Sequence, residues 1–133
     1  HIKIIKYDGV RIPFPDNFFD TVMIIDVLHH DTDYEKIINK AKRVTKKYIL
    51  IKDHYFKSKI DLFLLKLVDY LGNKPYGVSL TFNYYKVPEW ARLFDKIGAT
   101  VIKTEKFKYN FLDPCNHVVF LLSLNKNNIE THK

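Results

Sequence analysis

The spacing of apolar and polar positions changes several times along the chain. Residues 2–6 alternate weakly and predict a short strand, turned by Asp8-Gly9. Two prolines, Pro13 and Pro15, fix a loop that runs into Asp16-Asn17. Residues 18–25 predict a strand. Its unbroken apolar run, Val22-Met23-Ile24-Ile25, predicts burial on both faces, as in a parallel sheet. Asp31-Thr32-Asp33 then offers a helix N-cap. Tyr34, Ile37, Ile38, Ala41 and Val44 recur at helical spacing, and Lys46-Lys47 follow where cations suit the helix dipole. Residues 48–52 predict the next strand. Strand, helix and strand in so short a span make a βαβ unit with a right-handed crossover.

Ser58-Lys59-Ile60-Asp61 resembles a capping box with Asp in the Glu position. Ile60, Phe63, Leu64, Leu67, Val68 and Leu71 form one face of a predicted helix over residues 60–71, with Gly72 as its stop. The apolar positions extend around the helix to Leu62 and Leu65. Burial is the first expectation for such width; a lid, a dimer face or contact with a lipid-like acceptor would also use it. Residues 73–85 predict a loop containing Pro75 and Gly77. Pro88 opens a further helix through Trp90, Phe94 and Ile97, ended by Gly98. Residues 100–109 and 116–125 predict two strands, made antiparallel neighbours by the short link between them. The tail over residues 126–133 is polar. The expected fold class is therefore α/β, a parallel core that finishes in an antiparallel hairpin.

Composition narrows the picture. The chain has 133 residues, of which 47% are hydrophobic, enough for one core and too apolar for disorder. No apolar run approaches the roughly 20 residues that span a bilayer. Residue 1 is His, and the opening HIKIIKYDG lacks the apolar centre of a signal peptide. One cysteine, Cys115, cannot form an internal disulfide, so a reducing cytoplasm is the expected compartment. The net charge is +7, but it comes from scattered Lys with only three Arg, at positions 11, 43 and 92. Arg is the better residue for bidentate phosphate and guanine contacts, so nucleic acid is not the expected partner.

One stretch is more specific. Asp8-Gly9-Val10-Arg11-Ile12-Pro13-Phe14-Pro15-Asp16-Asn17-Phe18-Phe19-Asp20-Thr21-Val22, closing in Asp26-Val27-Leu28-His29-His30, resembles a segment of class I methyltransferases of the type 11 kind. The closing hairpin matches that family too, so the similarity runs from Tyr7 to about Leu124. The resemblance implies a Rossmann-like sheet and S-adenosylmethionine as cofactor. It implies methyl transfer to an acceptor, most simply a small molecule. One departure is large. The family's first strand carries a glycine-rich loop for the methionine end of the cofactor. The four glycines here, Gly9, Gly72, Gly77 and Gly98, are far apart. The likeness begins at the family's third strand, so residues 1–125 read as the C-terminal portion of such a domain, with the N-terminal strands missing. The chain alone is then expected to bind the cofactor weakly and to be inactive. The alternative is a non-catalytic remnant or interaction module of the same fold.

The resemblance also assigns roles. Asp8 stands where the family's carboxylate reaches the adenine amino group, with Gly9 and Val10 beside it; Asp8-Gly9 also reads as a turn. Asp26 closes an apolar strand at the sheet edge where α/β folds bind ligands, with Val27 next to it. A carboxylate facing a sulfonium is favourable, and a capping Asp is the other reading. His29 and His30 follow, and His30 is the candidate base on the acceptor, or a residue that orients or packs. Lys52, Asp53 and His54 end the next strand and are candidate substrate contacts. Tyr84 and Tyr85 are candidates for an aromatic wall; Trp90 reads as core. Asp16 and Asp20 read as structural. Cys115, His117 and His54 have no metal-ligand spacing, so no metal site is expected. In the family the strand over residues 18–25 lies beside the first strand. Its edge is expected to be covered here by residues 2–6 or by a second copy in a homodimer.

Overall fold

Asp33 starts the first helix as its sequence predicts: its side chain accepts the Lys36 backbone N–H at 2.9 Å. The computed structural model describes residues 3–78 and 80–124. The polar tail over 126–133, Asn125 and Ile2 lie outside the described residues. In chain order the elements are β1 (Phe19–Ile25), a 3-10 turn (Leu28–His30), α1 (Tyr34–Val44), β2 (Thr45–Tyr55), α2 (Lys59–Asn73), a second 3-10 turn (Lys74–Tyr76), α3 (Val87–Lys96), β3 (Thr100–Phe107) and β4 (Asn116–Ser123).

The four strands form one sheet in the order β1-β2-β4-β3. β1 runs parallel to β2, with Ile24 opposite Ile51. β4 pairs antiparallel with both β2 and β3, so Phe120 stands opposite Ile51 on one side and Thr104 on the other. This is the expected parallel unit closed by an antiparallel hairpin. β2 is longer than residues 48–52 because β4 pairs along it as far as Tyr55.

The main core lies between the sheet and helices α1 and α3. Ile24, Ile49, Ile51, Val118, Phe120 and Leu122 meet Ile38 and Ala41 of α1 and Trp90, Leu93 and Phe94 of α3. Trp90 is fully buried and packs against Phe120 at 5.5 Å and Tyr34 at 5.2 Å between ring centroids. Burying aromatic rings of this size contributes roughly 1.5–3 kcal/mol each.

Four expectations need correction. Residues 3–6 form no strand and are exposed. They do not cover β1, which pairs only with β2 among the described residues. Second, β1 is not buried on both faces: Ile24 is buried, but Met23 is 64% exposed and Ile25 49%. The strand sits at the end of the sheet, and the described residues cover only its inner face. Third, α2 runs through Gly72 to Asn73, and Gly77, at φ +68°, ends the 3-10 turn that follows it. Fourth, the apolar face of α2 is turned outward. Ile60, Phe63 and Leu71 are exposed, while Leu65 and Asp69 are buried. The capping box does form, with Ser58 and Asp61 exchanging side-chain and backbone hydrogen bonds.

Candidate functional site

The C-terminal ends of β1 and β2 lie side by side, as their parallel pairing requires. The Asp26 N–H donates to the Lys52 carbonyl at 2.9 Å, and Lys52 Nζ reaches both Asp26 carboxylate oxygens at 2.6 Å. Asp26 adopts φ +51°, a left-handed conformation that costs energy for a residue with a Cβ. It turns the chain sharply from β1 into the 3-10 turn that carries His29 and His30.

His29 is buried and its Nδ1 lies 2.6 Å from Asp53 Oδ1, at the end of β2. Asp53 is fully buried. It also accepts the backbone N–H of Leu28 at 3.2 Å and its neighbour His54 at 2.7 Å. Burial opposes charge on both groups, but their mutual hydrogen bond and opposite charges outweigh it. The pKa of His29 is raised, and the Asp53 carboxyl is held well below the usual carboxylate range. A second layer fixes the turn from outside. Thr81 Oγ1 donates to the His29 carbonyl at 2.7 Å, and Asn83 Nδ2 to the Asp31 carbonyl at 3.0 Å. Phe82 between them is strained at φ +51°.

Around this pair lies a cavity of about 310 Å³. Asp26, His29, His30, His54, Tyr84 and Cys115 form one side, and Leu65, Val68, Asp69, Gly72 and Asn73 of α2 form the other. Tyr84 stacks on His29 with centroids 5.2 Å apart. Burial, and then the neighbouring Asp69 carboxylate, pushes the Tyr84 phenol up. His54 meets the His29 ring edge-on at 5.1 Å and His117 at 4.6 Å. A separate groove of about 390 Å³ runs beside β1, lined by Tyr7, Gly9, Ile12, residues 22–25, Val27 and Lys40.

The sequence-derived candidates are thus sorted by the fold. Asp26, His30, His54 and Tyr84 share the cavity. Gly9 and Val27 share the groove. Asp8 is exposed and accepts the Val10 and Arg11 N–H groups at 2.8 and 3.3 Å, a turn that presents Gly9 at φ +76°. Val10 is exposed beside Arg11 and Ile12 in a third hollow. Lys52 and Asp53 line neither the cavity nor the groove; they hold Asp26 and His29 in place. Tyr85 turns away from Tyr84 and stacks on Tyr34 at 4.3 Å. Asp69 and Asn73 did not stand out in the sequence. Their signal was the i, i+4, i+8 row Leu65, Asp69, Asn73, which puts two polar side chains in line with a buried leucine.

A methyltransferase-domain family model matches residues 1–49, the part that carries Asp8, Asp26 and His30. A Bacillus halodurans C-125 protein classed as a methyltransferase superimposes with a TM-score of 0.69 at 13% identity, over 92% of this chain and 78% of that one. The fold is that of a class I methyltransferase. An S-adenosylmethionine-dependent methyltransferase from Aquifex aeolicus gives a TM-score of 0.59 at 19% identity, covering 90% of this chain and 54% of its own. The Burkholderia thailandensis 1,6-didemethyltoxoflavin-N1-methyltransferase, solved with S-adenosylhomocysteine, gives 0.62 at 11%, covering 83% and 45%. This chain therefore spans about half the length of the last two. No curated protein sequence matches it significantly. Among the described residues no helix is long and apolar enough to cross a membrane.

Proposed function

We propose that the chain is the acceptor-side portion of an S-adenosylmethionine-dependent methyltransferase acting on a small molecule. The observation that carries this reading is the pair of neighbouring hollows. The β1 groove and the histidine-walled cavity meet at Asp26-Val27, where one turn of chain separates them. A donor in the groove and an acceptor in the cavity would face each other across that turn.

The groove suits the adenosine end of the cofactor. Its lining is largely apolar, and a Cβ added to Gly9 would meet nothing within 4 Å, so the turn leaves room for a ring. Gly9 and Val27 line the groove and would hold that end, Asp8 and Val10 would reach it from the turn on either side of Gly9, and Asp26 would stand nearest the sulfonium. The described residues offer no glycine-rich cradle for the methionine end, since no two glycines are close in sequence. When bound, the cofactor supplies an electrophilic methyl group. The chain's own part is to place the acceptor nucleophile in line with it and to exclude water. Such positioning can supply roughly 7–11 kcal/mol. Tyr84 and His54 wall the acceptor, and an imidazole nitrogen of His30 takes its proton.

Amide-resolved NMR titration with S-adenosylhomocysteine tests the reading even where affinity is low. Shifts confined to residues 8–10 and 26–27 are expected. Unmoved amides there at saturating ligand would refute it.

A second reading is an interaction module of the same fold. It is favoured by the outer edge of β1, where Met23 and Ile25 are exposed beside a strand with no second partner among the described residues. A second copy of the chain is the simplest occupant of that edge.

A further inference from the structure

We propose that His29, His30 and Asp69 form a binding site for a divalent transition-metal cation, with Asp53 as the outer carboxylate that orients His29. The ligand atoms of these three side chains lie within 4.8 Å of one another, with the two histidines on one side of the cavity and Asp69 reaching in from α2 on the other. Around a cation with bonds near 2.0–2.2 Å, cis ligand atoms stand about 3–3.5 Å apart, so small side-chain rotations close the set.

Asp69 is the decisive residue. It reaches the cavity from α2 and is only 7% exposed. Its Oδ1 accepts the Asn73 side-chain N–H at 2.6 Å, while its buried Oδ2 makes no hydrogen bond of good geometry among the described residues, although the Tyr84 phenol is close enough to feel this carboxylate. A buried carboxylate oxygen without a partner is costly unless something positive meets it. His29 supplies the complementary half. Asp53 engages Nδ1, which leaves Nε2 as the nitrogen His29 can offer to a metal. A carboxylate behind a ligating histidine is the usual support of such sites. Two imidazoles and one carboxylate suit zinc, iron, cobalt or manganese better than magnesium or calcium, which prefer oxygen.

A rival set, His29, Asp53 and His54, is also close enough to share an ion. It is disfavoured because the Asp53 oxygens already accept from Leu28, His54 and His29. The remaining coordination positions of the proposed site open into the 310 Å³ cavity. On the methyl-transfer reading, and resting on it, a bound cation would acidify a hydroxyl acceptor so that its proton passes to water in the open cavity, leaving His30 as a ligand and not the base.

The test needs no methyl donor, so its outcome is separate from that reading. The chain, stripped with chelator, is titrated with Co²⁺ followed by visible absorption, and with Zn²⁺ by calorimetry. One equivalent is expected, with a ligand-field spectrum. Asp69→Asn and His30→Gln should each weaken uptake at least tenfold, and Asp53→Asn about 10–100-fold. His54→Gln should leave uptake unchanged. Circular dichroism melts check that each variant folds, and His30→Gln, at a half-exposed position, keeps the test open if a buried variant does not. No stoichiometric uptake by the natural chain would overturn the proposal. So would undiminished binding in His30→Gln, or loss of binding in a folded His54→Gln.

Discussion

His29 and Asp53, 24 residues apart in sequence, are joined by a 2.6 Å contact with both side chains almost wholly buried. Asp53 Oδ2 also takes the Leu28 N–H, so one carboxylate ties the turn after β1 to the end of β2.

Removing the carboxylate should therefore be expensive. Asp53→Ala leaves His29 and the Leu28 N–H buried without their acceptor. It should destabilise the chain by about 3–5 kcal/mol. Urea denaturation followed by circular dichroism measures this, and a loss within about 0.5 kcal/mol, typical of surface substitutions, would show that the tie contributes little.

Stability should also depend on His117. Burial, then the nearby His54 and Lys52, lowers its pKa below the ordinary 6.5, although Asp113 bonds to it at 2.8 Å and pulls the other way. A depressed folded pKa means that the unfolded chain binds the proton first. The stabilisation is thus present above about pH 6.5 and is lost as pH falls through the lower folded value. His29, with its raised pKa, contributes in the opposite sense, so the His117 effect is the acid-side decline of urea midpoints between about pH 8 and 5 that is present in the natural chain beyond that of His117→Phe. The decline should be shallower in His117→Phe. Parallel profiles for the two proteins would remove His117 from the account.

Asp8 should matter for the cofactor and hardly at all for folding. Its side chain is exposed and its bonds close only a local turn. The chain itself should bind S-adenosylhomocysteine weakly, and Asp8→Ala should weaken that further by about tenfold, by loss of the proposed adenine contact. Melting temperature should not move. The NMR titration already described gives both affinities, and equal values would leave Asp8 as a turn residue alone.

The edge of β1 that has no partner among the described residues should make the chain self-associate. Sedimentation over a concentration series should show a dimer, and Met23→Lys should weaken it by placing a charge beside the unpaired edge. A natural chain that stays monomeric throughout would rule out pairing of two copies at this edge.

Local sequence determined the helices and the hairpin. Asp33 before Tyr34, Ser58 with Asp61, and Pro88 with Gly98 set helix starts and stops through backbone hydrogen bonds within a few residues. The string from Asp8 to His30 pointed to the fold through its resemblance to class I methyltransferases. The choice between neighbours was decided only in three dimensions. His29 and His30 are adjacent, but Asp53 on another strand selects the first for burial. Tyr84 and Tyr85 are adjacent too, yet one stacks on His29 and the other on Tyr34. Asp69 entered the site because Leu65 and Asp69 turned α2 inward, against the wider apolar row over 60–71 that remained exposed. Val22 to Ile25 read as a strand buried on both faces, but sheet order placed it at an edge. Local pattern specifies backbone geometry through short-range contacts. Which face meets which partner is a long-range matter, and only the assembled sheet settles it.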